Sequence, residues 1–317
     1  MQLHPEVEAF LDLVEQGGLG VPLLPFYEDT AEAARRQFVV SSQRMRWAAP
    51  QDLDVLNCSV PARDGAALPL RLYRPNGKGP WPLLVYLHGG GFVVGDLETH
   101  DGVCREFASR TPCAVLAVDY RLAPEYPFPT AVHDVEDVLA GLPALAETYG
   151  LDLARLALGG DSAGANLATV LAQRAAEGAF PQLPAPRLQV LCYPTTDATR
   201  RHPSRELFGE GYLLDDLTLE WFYQHYAPAP EQRADPRCSP LLGPVAPGTA
   251  PAVVALAGFD PLLDEGRAYA DHLAAAGVPV ERYEYPFTHD FLRMRLVTAD
   301  VEEIYAQLSG ALAKAFE

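Results

Sequence analysis

Residues 156–178 constrain this chain more than any other stretch. Leu156-Ala157-Leu158 is a short apolar run, Gly159 and Gly160 close it, and an Ala- and Leu-rich helical pattern then runs until Gly178. The segment therefore reads as strand, sharp turn and helix, with Ser162 at the tip of the turn. Gly160-Asp161-Ser162-Ala163-Gly164 fits the G-x-S-x-G pattern in the context that pattern needs. So tight a turn presses backbone against backbone beside the serine. A Cβ at either flanking glycine would clash, and the serine is held strained and exposed. The helix behind it aims free N–H groups and its positive dipole end at the hydroxyl. Chance alone would supply about 0.05 such matches in a chain of this composition, and a serine-capped helix after a glycine turn would satisfy the pattern too. The motif needs support from elsewhere.

The rest of the chain supplies the frame. Val7, Phe10, Leu11 and Val14 form an apolar stripe before Gly17-Gly18, and Thr30 reads as the N-cap of a helix carrying Ala33, Ala34, Phe38 and Val39. Pro22 and Pro25 separate the two pieces. Residues 54–60 and 68–74 flank an Arg-Asp-Gly turn and suggest an antiparallel pair. Residues 82–87 and 113–118 are continuous apolar runs, the signature of strands buried on both faces, with a helix over 101–110 between them. A helix over 132–149 and strands over 155–158, 188–193, 252–256 and 280–285 follow. Strands alternating with helices at this spacing imply an α/β fold with a parallel sheet wrapped on both faces. Residues 195–234 interrupt the alternation with a dense set of aromatics, as a lid would. The expected division is a cap over 1–50, core over 51–194, a cap insertion over 195–234 and core again over 235–317.

An acyl-transfer serine needs a base, a group that orients the base, and donors for the oxyanion. His88-Gly89-Gly90-Gly91-Phe92 follows directly on an apolar strand, and chance would give H-G-G-G only about 0.004 times here. Its uncovered amides, those of Gly90 and Gly91, together with the amide of Ala163 after the serine, are the expected oxyanion donors. For a serine on such an elbow the chain order is serine, acid, histidine. His4, His88, His100 and His133 come too early, His202 and His225 lie in the lid, and His272 lies within a helical pattern over 265–276. His289, directly after the last strand, is left as the base. Asp260 is the first acid beyond the strand over 252–256, and Asp264 and Glu265 read as first-turn residues of the next helix. Phe38, Phe92, Tyr212, Leu213 and Trp221 are the candidate pocket lining.

His88-Gly-Gly-Gly-Phe, Tyr120-Arg-Leu-Ala-Pro-Glu125, Gly160-Asp-Ser-Ala-Gly164, Tyr193-Pro194, Asp260-Pro-Leu-Leu-Asp-Glu265 and His289 together resemble the bacterial hormone-sensitive-lipase family of α/β-hydrolase esterases. The resemblance runs from about residue 50 to the C-terminus. It implies the α/β-hydrolase fold with an eight-stranded, mostly parallel sheet, and a cap made of the N-terminal helices plus the insertion after Tyr193. It further implies hydrolysis of short- to medium-chain acyl esters by Ser162, Asp260 and His289, with no cofactor. The chain departs from the family at Asp290, where a glycine usually follows the histidine, and at Ala165, which replaces a second glycine. An amidase or deacetylase using the same three residues is the alternative, and a ligand-binding receptor on the same scaffold is a more distant one.

Composition narrows the setting. A net charge of −18, scattered along the chain, repels nucleic acid and anionic membranes. Five widely spaced cysteines with no C-x-x-C pair indicate reduced, mostly buried thiols, not disulfides or a zinc site, and no H-E-x-x-H metal cluster occurs. The N-terminus lacks a signal-peptide pattern and no apolar run reaches the ~20 residues of a membrane span, so a cytoplasmic enzyme acting on a small-molecule ester is expected. The oligomeric state stays open, a homodimer included.

Overall fold

The computed structural model describes residues 1–17 and 25–317; Gly18 and Pro22 lie outside the described residues. Eight strands form one sheet: β1 (Leu53–Pro61), β2 (Ala67–Pro75), β3 (Trp81–Leu87), β4 (Ala114–Val118), β5 (Leu151–Asp161), β6 (Leu188–Cys192), β7 (Ala252–Phe259) and β8 (Val280–Thr288), in the spatial order β1-β2-β4-β3-β5-β6-β7-β8. β1 and β2 pair antiparallel through the Arg-Asp-Gly turn, with Leu56 opposite Leu72 and Val60 opposite Leu68. β2 is also antiparallel to β4, and every pairing from β4 to β8 is parallel. This is the mostly parallel eight-stranded sheet of the α/β-hydrolase fold.

The apolar runs are continuous because each strand feeds two cores. Side chains alternate across a strand, so Leu83, Val85 and Leu87 of β3 pack on one face and Leu84 and Tyr86 on the other. The first face is covered by α4 (Thr130–Tyr149), α5 (Ala163–Ala176) and α9 (Leu263–Ala275), the second by α3 (Asp101–Arg110) and α10 (Val301–Phe316). The sequence reading contains no α10, although Val301, Ile304, Tyr305, Leu308 and Leu312 recur at helical spacing and are buried. β5 begins at Leu151, well before the expected residue 155. Among the described residues no helix is long and apolar enough to cross a membrane. All five cysteines are unpaired, and four are buried while Cys58 is half-buried.

Two groups of helices lie over the carboxyl edge of the sheet. α1 (Pro5–Glu15) and α2 (Ala31–Arg44) precede the first strand, and Thr30 caps α2 by accepting from the Ala33 amide at 3.2 Å. Residues 195–234 contain α6 (Pro203–Phe208), α7 (Asp216–Tyr226) and α8 (Pro230–Arg233). The apolar stripe of α1 buries only Val7 fully; Phe10, Leu11 and Val14 instead face a cavity beneath the helices.

Candidate active site

Parallel strands end on the same edge, and four of those ends carry the residues of interest. β5 runs into Ser162, β3 into the loop 88–92, β7 into Asp260 and β8 into His289. The turn at Ser162 is as tight as the glycines require. A Cβ on Gly164 would lie 1.9 Å from the Leu87 carbonyl oxygen and one on Gly160 2.4 Å from the same atom. Ser162 itself sits at φ 53°, ψ −120°, a conformation that costs of order 1–3 kcal/mol and persists only where surroundings fix it. Its amide donates to the Cys192 carbonyl at 2.9 Å and its carbonyl accepts from Asn166 at 3.1 Å.

His289 bridges the other two groups. Its Nδ1–H donates to Asp260 Oδ2 at 2.7 Å, and its Nε2 accepts from the Ser162 hydroxyl at 3.0 Å. The tautomer follows from the partners, because a carboxylate can only accept. Asp260 is held in turn by the Leu262 amide, which donates to Oδ1 at 2.9 Å. Burial alone would push the imidazole down, but the Asp260 carboxylate, with Asp290 and Asp161 behind it, outweighs burial and raises His289 above its ordinary 6.5. The Tyr193 ring stands edge-on to the imidazole at 4.7 Å. Asp264 is engaged elsewhere, accepting from the Ser204 amide at 2.9 Å. The histidines of residues 195–234 and of α9 also have partners away from Ser162: His202 on Asp197, His225 on the Trp221 carbonyl and His272 on the Gly243 carbonyl.

Gly90 and Gly91 adopt φ 121° and 58°, which turn the chain back under the cavity. Neither amide donates to a protein acceptor among the described residues, and both glycines line the cavity with Ser162 and His289. Ala163 is fully buried and starts α5, so its amide is one of the orphan donors of that helix end.

Beneath this loop lies a buried network that motif reasoning left out. Asp161 accepts from the Tyr86 hydroxyl at 2.7 Å and from His100 Nε2 at 3.3 Å. Burial would raise this carboxyl, but His100 and Tyr86 hold it below its ordinary value. Burial, helped by His100, pushes His88 down to about 4, so its ring is neutral; it stacks on Tyr120 at 4.4 Å while the Tyr120 hydroxyl donates to the His88 carbonyl at 2.7 Å. The signal was Asp161 itself, a charged residue inside an otherwise apolar elbow.

The cavity measures about 940 Å³ and is walled by both groups of helices. Phe38, Phe92, Tyr212 and Leu213 line it. Trp221 does not. Its ring packs behind Phe222 and against Phe26, and those two, not Trp221, face the space. Three consecutive aromatics spaced about 100° apart around a helix do not reveal which of them looks inward.

The chain is also similar to known ester hydrolases. A family model described as the α/β hydrolase fold matches residues 84–293. The chain is 48% identical over 316 residues to an ethyl acetate hydrolase of Pseudomonas putida, covering 98% of this chain and 99% of that one. It is 46% identical over 246 residues to the carboxylic ester hydrolase LipN of Mycobacterium tuberculosis, covering 76% of this chain and 65% of that one. A solved ester hydrolase from the Lake Arreo metagenome, complexed with a bipyridine phosphonate derivative, superposes with TM-score 0.92 at 36% identity, covering 99% of each chain.

Proposed function

The chain belongs to the α/β-hydrolase fold family and to its hormone-sensitive-lipase-like esterases, and from that premise we propose that Ser162, His289 and Asp260 are its nucleophile, base and orienting acid. The protein is a carboxylic ester hydrolase; the assignment of roles to residues is our reading. The observation that carries it is the unbroken relay from Asp260 Oδ2 through His289 to Ser162 Oγ, at 2.7 and 3.0 Å.

Ser162 Oγ attacks the ester carbonyl while its proton passes to His289 Nε2, and Asp260 stabilises the imidazolium that forms. The amides of Gly90, Gly91 and Ala163 receive the developing oxyanion. The imidazolium then gives its proton to the departing alkoxide, leaving an acyl-enzyme and an alcohol. Water, deprotonated by the same His289, attacks that acyl group, and the acid leaves as Ser162 is reprotonated.

Short- to medium-chain acyl esters are the proposed substrates. A bounded apolar cavity supports this, as does a relative named for ethyl acetate. We assign the cap to residues 1–50 and 195–234 over a core of 51–194 and 235–317. The proposed nucleophile, base, acid and oxyanion amides all lie on one chain, so the reading does not require a homodimer. Reduced cysteines favour a cytoplasmic setting.

Ser162→Ala is the direct test. It is expected to fold, with hydrolysis of p-nitrophenyl butyrate reduced by about 10³ or more. Near wild-type turnover by a folded variant would overturn the assignment.

A further inference from the structure

Arg293 is a buried cation at the cavity wall that the chemistry above does not use. It is 9% exposed, and its guanidinium has partners on two separate parts of the chain. Nη1 donates to Asp290 Oδ2 at 2.7 Å, on the residue directly after His289. Nη2 donates to the Ser42 hydroxyl, and the guanidinium carbon lies 4.4 Å from the centre of the Phe38 ring, both on α2. Ser42 is itself fixed by donating to the Phe38 carbonyl at 2.6 Å.

Asp290 occupies the left-handed region at φ 69°, ψ 18°. Glycine takes that conformation most easily, and aspartate less easily than glycine but better than most other residues. What the side chain gains is the charge-assisted pair with Arg293. The other half of α2 is tied to the opposite side of the site: Arg35 donates to the Val93 carbonyl at 2.8 Å, and Val93 donates back to Gly90. One cap helix thus touches the segment after the glycine loop and the loop of the histidine.

We propose that Asp290 and Arg293 form a latch that positions the His289 imidazole through α2, so that seating of the cap helix and alignment of the base are one event. The proposal rests on His289 being the base. An acyl group filling the cavity presses on Phe38, the ring that carries the guanidinium, and the latch transmits that contact to the loop of the base. Both latch members are positioning residues. The charged and titratable groups facing the imidazole are Asp260, Asp161, Asp290 and the ring of Tyr193; Arg293 acts on it through Asp290.

The test uses the full chain carrying Arg293→Met, Arg293→Lys, Asp290→Asn or Ser42→Ala, with Ser162→Ala as the inactive reference. It follows kcat, KM and the pH profile of kcat/KM on p-nitrophenyl butyrate. Arg293→Met is expected to lower kcat about tenfold and to move the acid limb to higher pH, because the unmatched Asp290 charge favours imidazolium. Asp290→Asn should move the limb to lower pH. Arg293→Lys should leave the limb in place and recover part of kcat, since the charge returns without the fork. Ser42→Ala, which has no charge to change, should lower kcat with the limb unmoved. A merely structural role would not shift the limb in opposite directions. Unchanged kcat in folded Asp290→Asn and Ser42→Ala, with the limb of Asp290→Asn unshifted, overturns the latch, even if Arg293→Met fails to fold. An active Ser162→Ala would instead overturn the assignment of Ser162 as nucleophile, and with it the proposed function on which the latch rests.

Discussion

Between Asp260 and Ser162 the imidazole is asked to do two things with its two nitrogens, and the distances show why it can. Asp260 fixes the proton on Nδ1, which leaves Nε2 as the acceptor facing Ser162. The same carboxylate favours the protonated ring, so in the proposed mechanism the imidazole must be deprotonated above its ordinary value before it can act as base. The sign is therefore set: kcat/KM should fall on acidification with its midpoint above 6.5, the ordinary value of the group. A midpoint clearly below 6.5 in a pH-rate profile would contradict the pairing. Asp260→Asn should lower kcat by about 10⁴, because the amide favours the wrong tautomer, and should bring the remaining acid limb down in pH. Asp161 shows the other use of a buried charge. It meets no reacting atom, yet with Tyr86 and His100 it fixes the floor on which the turn of Ser162 rests.

At the scale of elements, the elbow is a strand end, a turn and a helix start forced together. The close approach is backbone on backbone, so nothing there can rotate out of the way. Gly164→Ala is expected to cost about 3 kcal/mol, because its Cβ would meet the Leu87 carbonyl and backbone would have to shift. Gly310→Ala is the control of opposite sign. It sits on the exposed face of α10 with nothing within 4 Å of an added Cβ, and should gain about 0.5–1 kcal/mol by restricting the unfolded chain. Urea unfolding of the two variants reads both; equal effects would mean that the steric reading of the elbow is wrong. The helices over the cavity follow a different rule from those packed on the sheet. α1 buries little of its apolar stripe, because that stripe walls a cavity and does not pack against the sheet.

For the molecule as a whole, the net charge of −18 reaches the mouth of the cavity. Glu8, Asp12 and Glu15 of α1 and Glu210 and Asp215 of the insertion line it, while its one guanidinium among the described residues, Arg293, is paired with Asp290. A substrate with its own negative charge therefore enters against the field. An ester carrying a remote carboxylate should show lower kcat/KM than its neutral isostere, and the gap should narrow as salt screens the charges. Matched substrates assayed at low and high sodium chloride would check this, and a ratio near one at both would dismiss it.

The sequence by itself determined the alternation of strands and helices, the elbow at Ser162, the glycine loop at 88–92 and the chain order that singles out Asp260 and His289. Each of these is local: a period, a turn that admits only glycine, or a place directly after a strand. In a parallel sheet strand ends share an edge, so local placement was enough to bring four distant segments together. Only the tertiary structure decided which apolar residues face empty space. Phe10, Leu11 and Val14 read only as an apolar stripe and form part of the wall, while Trp221 reads as wall and lies behind Phe222. It also decided that Asp290, a mere departure from a glycine in sequence, meets Arg293 and through it α2. A cavity is the space left between elements far apart in the chain, and its lining depends on how they are rotated and seated, which no single segment encodes.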